Sequence, residues 1–101
     1  MTQPDLQTLP TPIVIERTLR YLEDFRKGGG LPMFTVTDHP SDHPEHYVAR
    51  LGLARSGGYE VTAFAILDTR LDGLRAILEA LGFVKLDRSP QDDPVILETW
   101  I

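Results

Sequence analysis

The sequence predicts an α+β fold, a single two-layer sandwich in which two helices cover a mostly antiparallel sheet of about four or five strands. Three observations support this fold class. Two segments carry apolar residues at helical spacing, and five shorter segments are rich in β-forming residues. The chain of 101 residues, 42% of them hydrophobic, is large enough for one core but not for two. The predicted order is helix, three strands, helix, two strands.

The first predicted helix follows an irregular N-terminal segment. The first dozen residues hold three prolines and show no periodicity, so we expect residues 1–11 to form a flexible arm and residues 12–101 a single domain. Thr11 is the expected helix cap, Pro12 the first helical residue and Gly28 the stop. The residues expected on the apolar face are Ile15, Leu19, Leu22 and Phe25.

Three strands are predicted in the middle of the chain, at residues 33–37, 47–54 and 59–67. The last two flank a turn that ends in Gly57 and Gly58, which can take the positive φ that a tight hairpin requires. The third strand alternates at first and then becomes apolar on both faces. We therefore expect it to be central in the sheet.

The second helix has recognisable signals at both ends. Thr69 and Asp72 resemble a capping box, and Gly82 supplies a C-terminal stop. The expected apolar stripe is Leu71, Leu74, Leu78 and Leu81. Two further strands are predicted at residues 83–86 and 95–101, separated by a polar turn with two prolines and three acids.

Composition excludes several functions. Fifteen acidic residues against ten basic ones give a net charge of −5, which disfavours direct binding to nucleic acid. The chain has neither an apolar stretch long enough to span a bilayer nor the features of a signal peptide. The absence of cysteine removes disulfides and thiolate chemistry. We expect a protein of the cytoplasm without a membrane partner.

The segment DHPSDHPEH contains all three histidines, His39, His43 and His46. Imidazoles next to carboxylates are ligands that a divalent metal such as zinc accepts, and an open position would allow metal-assisted hydrolysis. The two prolines argue against a helix that would align the rings. The favoured interpretation is two consecutive turns without a cofactor, with at most weak zinc binding.

Acidic turns and the C-terminal strand are the candidate partner-binding features. The acids would attract a basic protein. The last strand would offer an aromatic anchor, and a route to a homodimer, if it lay at the sheet edge; the favoured alternative is that it pairs within its own sheet. The candidate residues are Asp38, Asp42, Glu45, Asp92, Asp93 and Trp100.

Two quoted stretches, TVTDHPSDHPEHYVAR and LDRSPQDDPVILETWI, with an apolar strand and LDT before a helix between them, resemble a loose group of small bacterial and phage proteins. The resemblance covers about the last two thirds of the chain. It implies a shared fold unit and a bacterial or phage source, and it brings no activity with it.

No motif supports nucleophilic or acid–base catalysis. The serines lie in predicted turns, and the three glycines at 28–30 follow a helix rather than open one, unlike a phosphate-binding loop. We therefore expect a small acidic protein that binds another protein, such as an accessory or inhibitor protein, and is not an enzyme. The alternative is a divalent-metal-binding protein or metal-assisted hydrolase built on the three histidines.

Overall fold

The computed structural model describes residues 11–86 and 96–101. The elements are α1 (Thr11–Lys27), β1 (Leu31–Asp38), β2 (Tyr47–Arg55), β3 (Gly58–Asp68), α2 (Leu71–Ala80), β4 (Lys85–Leu86) and β5 (Ile96–Trp100). The strands form one antiparallel sheet in the order β3-β2-β1-β5-β4. Both helices pack on the same face of it. The predicted α+β class and element order are confirmed.

The predicted apolar face of helix α1 is confirmed in part, since Leu22 is buried and Ile15 and Phe25 pack against the core. The buried residues of the helix are Val14, Thr18 and Leu22, whereas Leu19 is 44% exposed. Thr18 is polar and lies between Val14 and Leu22, so a pattern of apolar residues does not predict that this stripe is buried. The Thr18 hydroxyl is satisfied inside the helix, where it donates a 2.7 Å hydrogen bond to the Val14 carbonyl.

The glycines after α1 have distinct roles. The helix ends at Lys27, and Gly29 has a φ of 80°, the left-handed conformation that ends many helices. Gly30 is needed for space, because a Cβ there would lie 2.5 Å from Cγ of the buried Leu53. The segment is therefore a helix stop followed by a close approach to the sheet.

The predicted hairpin is present, but the predicted central position of its second strand is wrong. Gly58 has a positive φ of 147°, whereas Gly57 does not have a positive φ. Strand β3 is an outer strand of the sheet, and β1 is the central one. The apolar residues of β3 show that parts of both of its faces are buried, with Phe64 and Ile66 on one face and Leu67 on the other. Burial of a face does not depend on whether the strand is central or outer in the sheet.

Helix α2 begins one residue later than its capping signal indicated. The N-cap is Arg70 rather than Thr69, and its backbone N–H donates a 2.9 Å hydrogen bond to the Asp68 carboxylate. The expected stripe is confirmed, with the addition of Ile77.

The C-terminal end of α2 forms a Schellman motif. The Gly82 N–H donates to the Glu79 carbonyl and the Phe83 N–H donates to that of Leu78. The φ of 89° at Gly82 permits this geometry, so the predicted stop at this glycine is confirmed.

The C-terminal strand β5 is enclosed by β1 on one side and β4 on the other. The β4–β5 pairing continues to the chain end through reciprocal hydrogen bonds between Val84 and Ile101, of 2.7 and 3.0 Å. The predicted turn after β4 and residues 1–10 of the predicted arm lie outside the described residues, while Thr11 belongs to α1.

The core lies between the helices and one face of the sheet. Its buried residues are Val14, Leu22, Phe34, Val36, Ala49, Leu51, Phe64, Ile66, Leu74, Ile77, Leu78, Leu81, Phe83 and Trp100. Neither α1 nor α2 is long and apolar enough to cross a membrane, in the part of the chain that the structure describes.

Candidate functional site

The segment His39–His46, which we call the histidine loop, connects β1 to β2 as two consecutive turns. The His43 N–H donates to the Pro40 carbonyl at 2.9 Å, and the His46 N–H donates to that of His43 at 3.2 Å. The loop is closed at its base by a 3.0 Å bond from the His39 N–H to the His46 carbonyl. The favoured two-turn interpretation agrees with this geometry.

The three imidazoles of the histidine loop point to different neighbours. The His39 ring packs edge-on against Tyr47, with centroids 4.7 Å apart, and its Nδ1 contacts the Asp38 carboxylate. The His43 and His46 rings lie 6.5 Å apart. Within residues 11–86 and 96–101, no group of three His, Asp or Glu side chains is arranged to hold a metal ion. A metal role for the three histidines stays a prediction.

The acidic candidates are partly neutralised where the structure describes them. Asp42 accepts a hydrogen bond from Arg50 Nη2, and this bond, together with the guanidinium charge, holds the pKa of Asp42 below its ordinary value. Glu45 is exposed. Asp92 and Asp93 lie outside the described residues. The histidine loop is therefore less negative toward solvent than its sequence indicates.

Trp100 is 3% exposed and belongs to the core, so it is not a surface anchor in the folded chain. Its indole N–H donates to Glu98 at 3.3 Å. Since β5 has neighbours on both sides, the outer strands of the sheet, among the residues that the structure describes, are β3 and β4. Any pairing through an edge strand would therefore involve one of those two strands.

Glu98 is the centre of a buried ionic cluster that sequence reasoning did not single out. Its carboxylate is only 5% exposed and lies 2.8 to 3.2 Å from Nε and Nη2 of Arg75 on α2. Lys85 Nζ on β4 is 3.9 Å away. The signal was available, because strand alternation places Glu98 on the same inward face as Trp100. We call Arg75, Lys85, Glu98 and Trp100 the Glu98 cluster.

The electrostatics of the Glu98 cluster favour the ionised carboxylate. Burial acts to raise the pKa of Glu98, but hydrogen bonds from Arg75 and Trp100 and the positive charges of Arg75 and Lys85 outweigh it and lower that pKa. The hydrogen bonds that Arg75 donates to Glu98 raise the pKa of Arg75. Both groups therefore stay charged near neutral pH, and neither is poised to exchange a proton.

A shallow depression of about 420 Å³ adjoins the Glu98 cluster, lined by side chains that include Arg75, Glu79, Phe83 and Lys85. The Arg75 guanidinium that borders it is already engaged by Glu98. Among the described residues that line it there is no serine, cysteine or histidine. We therefore interpret the depression as a surface feature beside a structural ion pair.

The sheet face turned away from the helices is the third candidate, and we call it the open face. Strand register defines its members. In the described strands they are Leu31, Met33, Thr35, Thr37, Val48, Arg50, Gly52, Ala54, Tyr59, Val61, Ala63, Ala65, Leu67, Leu86, Ile96 and Thr99. Arg50 is the one charged side chain among these described residues, and it is paired with Asp42.

Exposure on the open face is uneven. At the end next to the histidine loop, Thr37, Val48 and Leu67 are buried. Toward the β2–β3 turn, the exposed fractions reach 56% for Leu31, 52% for Tyr59 and 65% for Val61. The exposed apolar surface is therefore concentrated over β1, β2 and β3 at the hairpin end.

Two rows of directly paired residues make up this exposed region, which we call the apolar patch. One row is Leu31–Ala54–Tyr59 and the other is Met33–Gly52–Val61. The Tyr59 side chain lies across Gly52, where a Cβ would meet its hydroxyl and ring. All six residues are uncharged.

The sequence contained part of the signal for the apolar patch. Tyr59 and Val61 alternate with Glu60 and Thr62, and such alternation indicates a strand with one apolar face. It does not say whether that face meets the helices. In the structure the helices cover Phe64 and Ile66, and they leave Tyr59 and Val61 on the opposite side.

No family model, curated protein or solved structure matches this chain.

Proposed function

We propose that this protein is a non-catalytic protein-interaction module that binds through its open face. The observation that carries the proposal is the charge distribution. One quarter of the chain is charged, yet the described strands place a single charge on this face, and that charge is already paired. Contiguous exposed apolar surface of this kind marks interaction sites in soluble proteins.

The apolar patch supplies part of the free energy that binding requires. Full burial of a Leu, Val or Tyr side chain contributes about 1.5–3 kcal/mol. Leu31, Tyr59 and Val61 are about half exposed, so covering them would recover on the order of 2–5 kcal/mol together. Association itself costs at least about 4 kcal/mol, so the three side chains alone would give at most weak binding, and the rest of the face must contribute.

The other binding ideas have less support from the described residues. A basic partner would find the Asp42 charge occupied by Arg50. A metal would find the His39 ring packed against Tyr47, with its Nδ1 in contact with the Asp38 carboxylate. A location in the cytoplasm fits a chain without cysteine, and a role as a bacterial or phage accessory protein fits its small size.

Fluorescence of the apolar dye ANS with dilute native protein tests the proposed binding surface. We expect ANS to bind to the wild type and binding to fall several-fold in Val61→Glu. The matched control is Leu19→Glu, which places the same charge at a 44% exposed apolar position on α1 and should leave binding unchanged. Equal dye binding by all three proteins would contradict the proposal.

A further inference from the structure

We infer that a small pocket at the C-terminal end of α1 is a binding site for a zwitterion, a free α-amino acid with an apolar side chain. We call it the α1 pocket, and it is lined by Tyr21, Asp24, Phe25, Gly28 and Arg55. Helix α1 packs on the face of the sheet opposite the open face. The site is therefore separate from the surface proposed for protein binding.

Four of the lining residues lie on one side of α1. They follow the spacing i, i+3, i+4 and i+7, which places residues next to one another on a helix surface. The Tyr21 and Phe25 rings meet edge to face with centroids 4.8 Å apart, and Tyr21 stacks on Phe64 of β3 at 4.6 Å. Tyr21 and Phe25 are only half-buried. The sheet therefore holds an aromatic wall whose outer part is accessible to a ligand.

The size of the α1 pocket suits a small molecule. Its volume is about 190 Å³, whereas sites for drug-sized molecules measure roughly 300–1,000 Å³. Gly28 leaves one side of it open, because a Cβ there would lie 3.3 Å from the Phe25 carbonyl oxygen and 3.9 Å from Nη2 of Arg55. Any side chain at this position would fill part of the pocket.

The Asp24 carboxylate, at the mouth of the pocket, forms no ion pair with any residue that the structure describes. The two nearest cations along the helix are occupied by other acids. Arg20 bonds to Glu16 at 2.7 Å, and Nζ of Lys27 lies 3.9 Å from Glu23. The carboxylate is therefore available to a positively charged ligand group.

The Arg55 guanidinium supplies the opposite charge. Strand alternation places Arg55 on the same side of the sheet as the buried Leu53, which is the side of α1. Within residues 11–86 and 96–101 it is paired neither with Asp24 nor with another acid. The α1 pocket thus contains one negative and one positive group that do not neutralise each other directly.

A free α-amino acid matches this arrangement in three ways. Its carboxylate can accept two parallel hydrogen bonds from the Arg55 guanidinium, and its ammonium can pair with Asp24 and lie near the aromatic rings. Its apolar side chain can cover Tyr21 and Phe25. Burial raises the pKa of Tyr21, so its hydroxyl adds no charge near neutral pH. A ligand with one charge would leave one of the two protein charges without a partner.

NMR titration of the ¹⁵N-labelled full chain tests the inference with three probes that share a phenyl ring. L-Phenylalanine has both charges, 3-phenylpropionate lacks the ammonium, and phenethylamine lacks the carboxylate. We expect L-phenylalanine to shift the amide signals of Asp24, Gly28 and Arg55 in a saturable way. Each single-charge probe should bind about two- to fivefold more weakly, the effect of one exposed charge pair.

Two variants identify which protein charge recognises which ligand group. Asp24→Asn should weaken the binding of L-phenylalanine by about two- to fivefold and leave that of 3-phenylpropionate unchanged. Arg55→Gln should weaken L-phenylalanine similarly and leave phenethylamine unchanged. Both positions are exposed, so the amide spectrum should show that each variant is folded. The matched controls, Glu45→Gln and Arg17→Gln, neutralise exposed charges outside the pocket and should bind all three probes like the wild type.

Three outcomes would overturn the inference. The absence of a saturable shift with L-phenylalanine would show that the α1 pocket is not a ligand site. Equal binding of the three probes would show that only the aromatic ring is recognised. Shifts that persist unchanged in both folded variants, or that fall on the apolar patch, would place the binding elsewhere. None of these results bears on the ANS experiment, which tests the open face through Val61→Glu.

Discussion

Replacing Arg75 with methionine should destabilise the protein strongly and in a pH-dependent manner. The substitution keeps the length of the side chain but leaves the Glu98 carboxylate, 5% exposed, without its main partner. Breaking a buried ion pair by removing one member costs about 3–5 kcal/mol. Arg75 is itself 41% exposed, and Lys85 and Trp100 remain close to the carboxylate. We therefore expect a loss of about 2–3 kcal/mol at pH 7.

The pH dependence identifies the mechanism. The pKa of Glu98 is lowered in the folded protein, so the stability it contributes is present above the unfolded value of about 4.3 and is lost as the pH falls through the folded value. In Arg75→Met, burial would instead raise the pKa of Glu98. The difference in stability between the two proteins should be largest near pH 7 and should shrink below about pH 4.

Urea unfolding followed by tryptophan fluorescence measures this difference, because the chain has a single tryptophan and it lies inside the cluster. Arg20→Met is the matched control. Arg20 and its partner Glu16 are both more than 60% exposed, so its loss should cost less than about 0.5 kcal/mol. A cost below about 0.5 kcal/mol for Arg75→Met, or one that does not vary between pH 3 and 7, would refute the reasoning.

Three further outcomes are expected. Gly30→Ala should lower the free energy of unfolding by about 1–3 kcal/mol, since its Cβ would overlap the buried Leu53, whereas Gly57→Ala, which has open space, should cost less in the same urea assay. Asp42→Asn should speed amide hydrogen exchange in the histidine loop, because the ion pair with Arg50 is lost; unchanged exchange would show that this pair does not hold the loop. In an NMR titration with zinc, the imidazole signals of His43 and His46 should shift weakly and in fast exchange. Slow-exchange shifts of all three at one equivalent would establish the metal site instead.

The elements of this fold follow from local patterns. Helical spacing of the leucines predicts α2, and Gly82 predicts its end, because a Schellman motif needs a residue that accepts a positive φ. The turn residues between β2 and β3 predict the hairpin. Helix α1 is predicted as an element with Leu22 on its buried face, but the burial of Thr18 is not predicted, because a polar residue there interrupts the apolar stripe.

The candidate sites were predicted less completely. The histidine loop was identified with its turn geometry, because proline and aspartate act on their immediate neighbours. Glu98 was not singled out from the sequence, since its partner Arg75 is far away along the chain. A buried ion pair between separate elements leaves no local signal beyond a charge at an inward-facing strand position.

By itself, the amino-acid sequence determined the α+β class, the order of the elements, the helix stop at Gly82 and the turns of the histidine loop, since each depends on neighbouring residues and backbone preference. Only the tertiary structure decided that β1 is central, that β3 is an outer strand and that Tyr59 and Val61 face away from the helices. Alternation along a strand shows which residues share a face, but it does not show which of the two faces the helices cover. That choice depends on packing between distant segments, and here it leaves an almost uncharged face of the sheet exposed.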